Sequence, residues 1–445
     1  MTDSSGSLRV AYHTLGCKLN FAETSAIGKS LADKGFLRAA PGEVPDLCVV
    51  NTCSVTEVAD KKGRALIRRL HRRWPEAAIV VTGCYAQLKP EEVAALPGVE
   101  LVVGNNDKMA IDSYLEGWLA SRRKVVDVLP AKEIRRFSPS CERGDRTRWW
   151  LKVQDGCDYW CTYCTIPMAR GRSRSGTIEE LAGQAREVAA QGGREIVLTG
   201  VNVGDFGKGT THDFFDLIRA LDEVEGIERF RISSIEPNLL TTDIIEWVAR
   251  DSRAFMPHFH IPLQSGSDTV LRLMRRHYDT ALFAERVEMI RALVPDAFIG
   301  VDIMAGTRGE TLEEWERSLE FVRSLPVQQL HVFPYSERPG TRALLMEAEV
   351  VSQEEKHRRA AALIAESHKK YEAFRHRAQG TVRPVLWEQP HEGSRTMHGF
   401  TDNYLRVEAP YIPGLVGLIT PVRIGQATDE ETLDCTILRD GQEER

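Results

Sequence analysis

The first third of the chain alternates apolar runs of strand length with amphipathic stretches. Five runs have the length and composition of strands: RVAYHTLGC, DLCVVNTC, AIVVTGCY, VELVVGNN and KVVDVL. Helical periodicity of apolar positions lies between them, for example over residues 23–34 and 58–71. Because strands that alternate with helices build parallel sheets, residues 1–120 are predicted to form a doubly wound parallel α/β domain.

The middle of the chain repeats this alternation. Six further apolar runs follow one another: WWLKVQDGC, REIVLTGVNVG, RFRISSIEP, PHFHIPLQS, FIGVDIMAG and QQLHVFPYS. Amphipathic segments separate them, and a long charged helix is predicted over residues 352–378. Six strands with right-handed crossovers form a partial barrel, so residues 149–376 are predicted to be a partial (β/α)6 barrel.

The pattern changes again in residues 377–440, where short apolar segments are punctuated by glycine and proline. This arrangement predicts a small antiparallel β-barrel. The stretch between the first two domains, residues 121–148, is basic and lacks a clear period, and it is predicted to be an irregular linker.

Length and composition agree with a chain of several domains. The 445 residues exceed one typical core, and 42% hydrophobic with 27% charged residues is the balance of a globular protein. The sequence has no uncharged apolar run long enough for a transmembrane helix, so we expect no membrane association. The polar start, MTDSSGSLRV, lacks an apolar signal core, and a cytoplasmic location is expected.

Charge is unevenly distributed, although the net charge of −6 gives no global sign of nucleic-acid binding. Residues 61–73 hold seven lysines and arginines and no acid, and residues 122–148 hold nine basic and four acidic residues. Such patches can neutralise phosphates, but a solvated helix face and a solvated linker would look the same.

Three closely spaced cysteines follow the first strand predicted for the barrel. Cys157, Cys161 and Cys164 form a C-x3-C-x2-C pattern. Barrel enzymes act at loops on the carboxyl ends of their strands. Three neighbouring thiolates can bind three corners of a cubane iron–sulfur cluster, and zinc with a remote fourth ligand is the alternative.

Three more cysteines share a position in the first domain, since Cys17, Cys53 and Cys84 each end an apolar run. The carboxyl ends of parallel strands meet at one crevice, so the three thiols are expected to converge. The alternative is three separate buried cysteines, a common state of free cysteine. The remaining cysteines are assigned to no site: Cys48, Cys141 and Cys435.

The C-x3-C-x2-C spacing, with Tyr163 before the last cysteine, resembles the signature of radical S-adenosylmethionine (SAM) enzymes. The resemblance implies a 4Fe–4S cluster at Cys157, Cys161 and Cys164, with SAM on the fourth iron as the source of a 5′-deoxyadenosyl radical. It also implies a reductive electron donor such as flavodoxin or ferredoxin and no catalytic side chain, because the cofactors carry the chemistry. The residues implied at the SAM site are Tyr163, Asn202, Ser234, Glu236, Gln264 and Gly306.

The segments around the second trio, TLGCKLNFAETS, VVNTCSVTEVADKKGRALIRRL and VTGCYAQLKPEEV, resemble the N-terminal domain of methylthiotransferases. That resemblance implies a second 4Fe–4S cluster, bound by Cys17, Cys53 and Cys84, that holds the sulfur to be inserted. SAM would be both methyl donor and radical source. The terminal barrel is similar to the small RNA-binding TRAM module.

Members of that family act on an adenosine beside the tRNA anticodon or on an aspartate of a ribosomal protein. CTYCTIPMARGRSRS and HVFPYSERPGTRA are most similar to the branch that methylthiolates C2 of N6-threonylcarbamoyladenosine at position 37. The implied partner is the tRNA anticodon stem-loop. Isopentenyladenosine in tRNA, the ribosomal aspartate and a zinc-stabilised RNA-binding protein without catalysis remain alternatives.

Substrate contacts are expected from the arginines that follow the cysteine loop. A guanidinium can bind the threonyl carboxylate or an RNA phosphate in a bidentate manner, although these arginines could also simply solvate a loop. The expected contacts are Arg170, Arg172 and Arg174. The terminal barrel is acidic overall, so its RNA contacts are expected from stacking on aromatic side chains: Trp387, Phe400 and Tyr404.

Overall fold

The computed structural model describes residues 7–142, 147–391 and 393–438, without the side chain of Glu142. Parts of three predicted segments lie outside the described residues, namely 1–6, 143–146 in the linker, and 392 and 439–440 in the terminal barrel. Among the described helices, none combines the length and apolar character needed to cross a membrane.

The first domain is a six-stranded sheet in the order β2-β1-β3-β4-β5-β6, with every pairing parallel. Its elements are β1 (Arg9–Thr14), α1 (Lys18–Asp33), β2 (Leu37–Arg38), β3 (Leu47–Thr52), α2 (Glu57–Arg73), β4 (Ala78–Gly83), α3 (Cys84–Leu88), α4 (Pro90–Ala94), β5 (Val99–Val103), α5 (Ile111–Ser121) and β6 (Val125–Asp127). Helices α1 and α5 cover one face, and α2, α3 and α4 cover the other. This confirms the predicted doubly wound parallel sheet.

The second domain contains six parallel strands in the order β8-β11-β12-β13-β14-β15. Its elements are β7 (Ser140–Glu142), β8 (Trp149–Lys152), β9 (Gln154–Asp155), α6 (Ile166–Arg170), β10 (Arg174–Ser175), α7 (Ile178–Ala190), β11 (Glu195–Thr199), α8 (Phe214–Asp222), β12 (Arg229–Ile232), α9 (Thr242–Arg250), β13 (His258–Gln264), α10 (Asp268–Met274), α11 (Thr280–Leu293), β14 (Phe298–Ala305), α12 (Leu312–Ser324), β15 (Gln329–Pro334) and α13 (Gln353–Ala378). Isolated parallel bridges join the β12 and β13 halves. The partial (β/α)6 barrel is therefore confirmed.

Two short strands lie within residues 121–148. Strand β6 lies in the predicted strand run KVVDVL, whereas β7 lies where an irregular linker was predicted. Strand β6 pairs with β5 and extends the first sheet, whereas β7 pairs antiparallel with β8 and extends the second. Each strand satisfies backbone groups that a sheet edge would otherwise expose to water.

The third domain is a closed barrel in the order β16-β17-β18-β20-β19. Its strands are β16 (Val382–Trp387), β17 (Thr396–Thr401), β18 (Arg406–Pro410), β19 (Ile419–Ala427) and β20 (Thr432–Ile437). The expectation of a wholly antiparallel barrel needs one correction, because β18 and β20 pair in parallel to close the ring. Closure leaves no sheet edge exposed.

This barrel packs against the end of the partial barrel at which the parallel strands begin. Arg229 donates to the carbonyl oxygens of Phe400 at 3.0 Å and Pro384 at 2.8 Å. The Tyr404 ring lies 4.4 Å from the ring of His258.

The three aromatic side chains expected to stack on RNA have structural positions instead. Trp387 is fully buried and donates its indole N–H to the hydroxyl of Thr420 at 2.8 Å. Phe400 and Tyr404 pack against each other, with the Arg148 guanidinium 4.4 Å from the Phe400 ring. The expectation fails because an apolar ring in a small barrel fills its core or its domain interface first.

Candidate active site

The cysteines of the C-x3-C-x2-C pattern lie in one loop between β9 and α6: Cys157, Cys161 and Cys164. Each sulfur accepts a hydrogen bond. The Tyr159 N–H donates to Cys157 Sγ at 3.4 Å, and the Ile166 N–H donates to Cys164 Sγ at 3.4 Å. The Arg276 guanidinium donates to Cys161 Sγ at 3.0 Å. Donors directed at sulfur favour the thiolate, which is the form that binds metal.

The C-x3-C-x2-C loop is held in place by hydrogen bonds to the end of α10. Thr162 donates its N–H to the carbonyl of Met274 at 3.1 Å and its hydroxyl to the carbonyl of Leu273 at 2.9 Å. The ring of Tyr159 stacks on His277 with a centroid distance of 4.2 Å. These contacts hold the three sulfurs in one region before any ligand binds.

The second cysteine trio converges as the sequence predicts. Cys17 caps α1 after β1, Cys53 follows β3 and Cys84 begins α3 after β4, so they lie at the carboxyl ends of three neighbouring strands. The thiols are close enough to influence one another, since burial raises the pKa of Cys53 and the thiols of Cys84 and Cys17 raise it further.

Two glycines make this approach possible. Gly16 has φ +106°, and a Cβ there would lie 2.6 Å from the Cβ of Cys53. Gly83 has φ +92°, and its Cβ would lie 2.4 Å from the carbonyl oxygen of Thr52. The backbone at Gly16 therefore passes Cys53, and the backbone at Gly83 passes the neighbouring Thr52, at distances that leave no room for a side chain.

Replacing Gly83 with alanine is expected to lower the free energy of unfolding by about 3 kcal/mol, because a left-handed backbone and a backbone collision both disfavour it. Gly35→Ala is the matched control, since Gly35 has φ +89° but nothing within 4 Å of a Cβ, and we expect it to cost about 1 kcal/mol. Urea unfolding measures both. Equal effects would contradict the packing argument.

Burial disfavours the thiolate form of four of these cysteines. Desolvation raises the pKa of Cys53 and of Cys164 to about 12, and it also raises the pKa of Cys84 and of Cys161. Metal binding supplies the positive charge that a buried thiolate needs. These four thiols are therefore better suited to ligation than to nucleophilic catalysis.

The donor chemistry of the two trios suits a metal centre. Each trio offers three thiols, a set that fits three corners of an iron–sulfur cluster or zinc with a further ligand. In the described chain, one group of three His, Cys, Asp or Glu side chains has donor atoms within 4.8 Å of one another, and it contains no cysteine.

A pocket of about 270 Å³ opens beside the C-x3-C-x2-C loop. Its walls come from two domains: Val55, Thr56, Tyr163, Cys164, Thr165, Ile166, Gln264, Met304, Phe333, Pro334, Tyr335 and Ser336. Gln264 adopts φ +64° at a bulge where β13 ends. Such a backbone conformation in a residue other than glycine is uncommon and concentrates at ligand sites.

Arg276 is a site residue that the sequence pattern did not reveal. Its guanidinium pairs with Glu236 and donates to the hydroxyls of Tyr278 at 3.0 Å and Tyr163 at 3.3 Å. Burial raises the pKa of Glu236, and Arg276 offsets part of that rise. The sequence offers no signal that separates Arg276 from Arg275, which is exposed.

The other residues expected to hold SAM lie at strand ends with different surroundings. Ser234 forms an isolated parallel β-bridge with His260, and the backbone N–H of buried Asn202 donates to Gln154 Oε1 at 2.9 Å. A Cβ on Gly306 would lie 2.2 Å from Cγ of Lys356. Gly306 therefore allows α13 to approach, which is a packing role.

Side chains of β13, β14 and β15 line the barrel interior in layers, because alternate residues face the same side. Gln264, Met304 and Phe333 belong to the pocket layer. The layer below contains His260, Asp302 and His331, whose donor atoms lie within 4.8 Å of one another. His260 Nε2 lies 2.8 Å from Asp302 Oδ1. The floor beneath the pocket is therefore polar.

The arginines expected to contact substrate differ in exposure. Arg170 is 1% exposed and bonds to Glu23, Asp155 and Asn20. Arg174 donates to Asp155 and to main-chain carbonyls. Arg172 is the exposed member of the three. A guanidinium enclosed by carboxylates has no donor to offer a substrate, so Arg170 has an internal role.

Known proteins are similar to this chain over most of its length. Residues 151–322 match the radical SAM superfamily, and residues 9–104 match the uncharacterized protein family UPF0004. A relative from Bacillus subtilis, named threonylcarbamoyladenosine tRNA methylthiotransferase MtaB, is 39% identical over 94% of this chain and 94% of its own. This chain belongs to the radical SAM methylthiotransferase family. Enzymes of the family use SAM and carry two 4Fe–4S clusters.

Other members differ in the named substrate. A relative from Pelotomaculum thermopropionicum, named tRNA-2-methylthio-N(6)-dimethylallyladenosine synthase, is 30% identical over 92% of this chain and 93% of its own. Among solved structures, the radical SAM methyltransferase TsrM from Kitasatospora setae has a TM-score of 0.56 at 15% identity, covering 74% of each chain. That likeness supports the fold of the family.

Proposed function

We propose that this enzyme methylthiolates C2 of N6-threonylcarbamoyladenosine at position 37 of tRNA, with SAM as both radical source and methyl donor. The observation that supports the proposal is the similarity to the Bacillus subtilis relative, which is 39% identical over 94% of each chain. The proposed partner is the anticodon stem-loop, the proposed location is the cytoplasm, and the proposed reductant is a flavodoxin or ferredoxin.

The two trios would hold one cluster each, Cys157, Cys161 and Cys164 in the barrel and Cys17, Cys53 and Cys84 in the first domain. When bound, the first of these clusters supplies the electron that cleaves SAM, and the second supplies the sulfur. The N–H donors at Tyr159 and Ile166 would stabilise ligating thiolates.

The pocket beside Cys164 would hold SAM. Arg276, which pairs with Glu236, donates to Cys161 Sγ at 3.0 Å and would stabilise that ligating thiolate. Tyr163, Gln264 and the other predicted residues near the strand ends would orient SAM. Val55 and Thr56 from the first domain close one side of the pocket, which limits the access of water to a radical.

The polar floor supports a threonylcarbamoyl substituent over a hydrocarbon one. His260, Asp302 and His331 are half-buried, and His260 bonds to Asp302. A dimethylallyl group would offer this polar group no hydrogen bond. A substituent with a carboxylate, a hydroxyl and a urea can bond to them. Arg172, which is exposed, is the proposed contact to an RNA phosphate.

A second candidate is methylthiolation of dimethylallyladenosine, favoured by the nearly full-length similarity to the Pelotomaculum thermopropionicum relative. A third is methylthiolation of a ribosomal-protein aspartate. The three differ in substrate and share the cofactors, so substrate analysis separates them.

Nucleoside mass spectrometry of tRNA from a deletion strain tests the proposal. We expect 2-methylthio-N6-threonylcarbamoyladenosine to disappear, its unmethylthiolated precursor to accumulate, and the gene to restore the product. Complementation by a Cys435→Ala variant is the matched control, because Cys435 lies in the terminal barrel away from both trios. Loss of 2-methylthio-dimethylallyladenosine, or of ribosomal methylthio-aspartate, with an unchanged threonylcarbamoyl product would refute it.

A further inference from the structure

Six charged side chains meet in the interior between the first and second domains. They are Glu23 and Lys108 from the first domain and Lys152, Asp155, Arg170 and Arg174 from the second. We call them the interdomain charge network. Its first five members are at most 2% exposed, and the Arg174 side chain is 11% exposed.

Glu23 and Asp155 are the two anions of the network. Glu23 Oε1 lies 2.5 Å from Nζ of Lys108, 2.9 Å from Nζ of Lys152 and 3.0 Å from the Arg170 guanidinium. Asp155 lies 2.7 Å from Lys152, 2.9 Å from Arg170 and 3.1 Å from Arg174. Every cation therefore contacts a carboxylate, and both carboxylates are shared.

Charge within the network does not balance, because four cations face two carboxylates. A buried charge without full compensation is unfavourable. The effect is visible at Lys108, where burial, with the charge of Arg170 added to it, lowers the pKa to about 8. A further negative charge close to the network would therefore be stabilised by its excess of positive charge.

The nearest source of that charge is the first-domain cysteine site. Arg170 Nη2 donates to Asn20 Oδ1 at 2.7 Å, and the Cys17 thiol contacts the same oxygen at 3.8 Å. Asn20 Nδ2 donates to the carbonyls of Leu15 at 2.8 Å and Thr52 at 3.2 Å, in the loops that lead to Cys17 and Cys53. One amide thus joins Arg170 to two of the three cysteine loops.

The third cysteine segment, which contains Cys84, lies next to the helix that carries Arg170. Helix α3, which begins at Cys84, packs on α6, which ends at Arg170. Arg170 therefore lies beside the helix that begins at Cys84, as well as beside the loops of Cys17 and Cys53.

We propose that the interdomain charge network is the counter-charge of the cluster held by Cys17, Cys53 and Cys84, and that Lys108, Lys152 and Arg170 are positioning residues that raise its reduction potential. The proposal rests on the proposed assignment of those cysteines. Positive charge near an iron–sulfur cluster stabilises the reduced form, which carries one more negative charge. Since three of the cations come from the barrel, the potential also depends on the two domains being packed together.

The test is redox titration of the reconstituted full-length enzyme, followed by electron paramagnetic resonance. Adding SAM is expected to change the paramagnetic resonance signal of the cluster in the (β/α)6 barrel. The signal that does not change on addition of SAM therefore reports the first-domain cluster. Lys108→Met removes one charge at similar length, Lys152→Met repeats the change from the other domain, and Lys108→Arg restores the charge. Arg231→Met is the matched control, because it removes a buried cation beside Glu195, outside the network.

We expect each methionine variant of the network to lower the midpoint potential of the SAM-insensitive signal. A tenfold change in the ratio of oxidised to reduced cluster is about 59 mV for one electron. Lys108→Arg should return the potential toward wild type, and Arg231→Met should leave it unchanged. Unchanged potentials in both network variants, or equal shifts in Arg231→Met, would overturn the proposal.

Failure of the proposed function has a different signature. A wild-type enzyme with one cluster would refute the cysteine assignment before any network variant is compared. A wild-type enzyme with two clusters that modifies another substrate would refute the proposed substrate. The charge proposal would then still be decided by the midpoint potentials of the variants. If one methionine variant loads no cluster, the titration of the other methionine variant decides.

Discussion

Alanine at any one position of the C-x3-C-x2-C loop is expected to reduce SAM cleavage to background. The variants are Cys157→Ala, Cys161→Ala and Cys164→Ala. Each removes one of the three sulfurs proposed to ligate the cluster that cleaves SAM, and each of these sulfurs accepts a hydrogen bond from an N–H group. Chromatography of 5′-deoxyadenosine formed under reducing, anaerobic conditions measures the effect.

Cys435→Ala is the control for loss of a thiol. Cys435 lies in the terminal barrel, where its thiol donates to the carbonyl of Glu408 at 3.4 Å. We expect wild-type cleavage from this variant. Cleavage at the wild-type rate in any of the three loop variants would show that the loop does not hold the cluster that reduces SAM.

Alanine in the second trio is expected to separate radical formation from sulfur insertion. Cys17→Ala, Cys53→Ala and Cys84→Ala should keep the cleavage of SAM, because the barrel loop is intact, and should lower methylthiolated tRNA to background. Iron content should fall from about eight to about four atoms per chain. The same reaction mixture gives both readouts, 5′-deoxyadenosine and the modified nucleoside.

Cys48→Ala is the matched control for this group. Cys48 lies on β3, on the strand that leads to Cys53, and burial raises the pKa of its thiol to about 11, yet it belongs to the apolar core. We expect it to retain methylthiolation. Methylthiolated product from the Cys53→Ala or Cys84→Ala enzyme would contradict the role proposed for the first domain.

Features set by local patterns were predictable from the sequence. Alternating apolar and amphipathic segments indicated both parallel sheets, and the position of Cys17, Cys53 and Cys84 at strand ends indicated their convergence, because parallel strands share one carboxyl edge. The helix predicted over residues 352–378 begins at Gln353, after the capping residue Ser352, and ends at Ala378.

Features set by distant partners were not predictable. Arg170 reads as an exposed arginine in a basic loop, but its partner Glu23 lies 147 positions away in sequence. Arg276 reaches the cysteine loop across a similar gap of 115 positions. A charge pattern shows where cations are frequent and gives no information about which of them the packing of two domains encloses.

The contacts of the terminal barrel change how a shortened enzyme should be understood. Arg229 and Arg231, both buried on β12, donate to backbone carbonyls of that barrel, including those of Phe400 and Thr401. Cutting the chain after α13 would expose these cations and open the lower end of the (β/α)6 barrel to water. A truncated enzyme that no longer modifies tRNA would therefore have lost contacts that cover its own catalytic domain. Its inactivity would not measure RNA affinity.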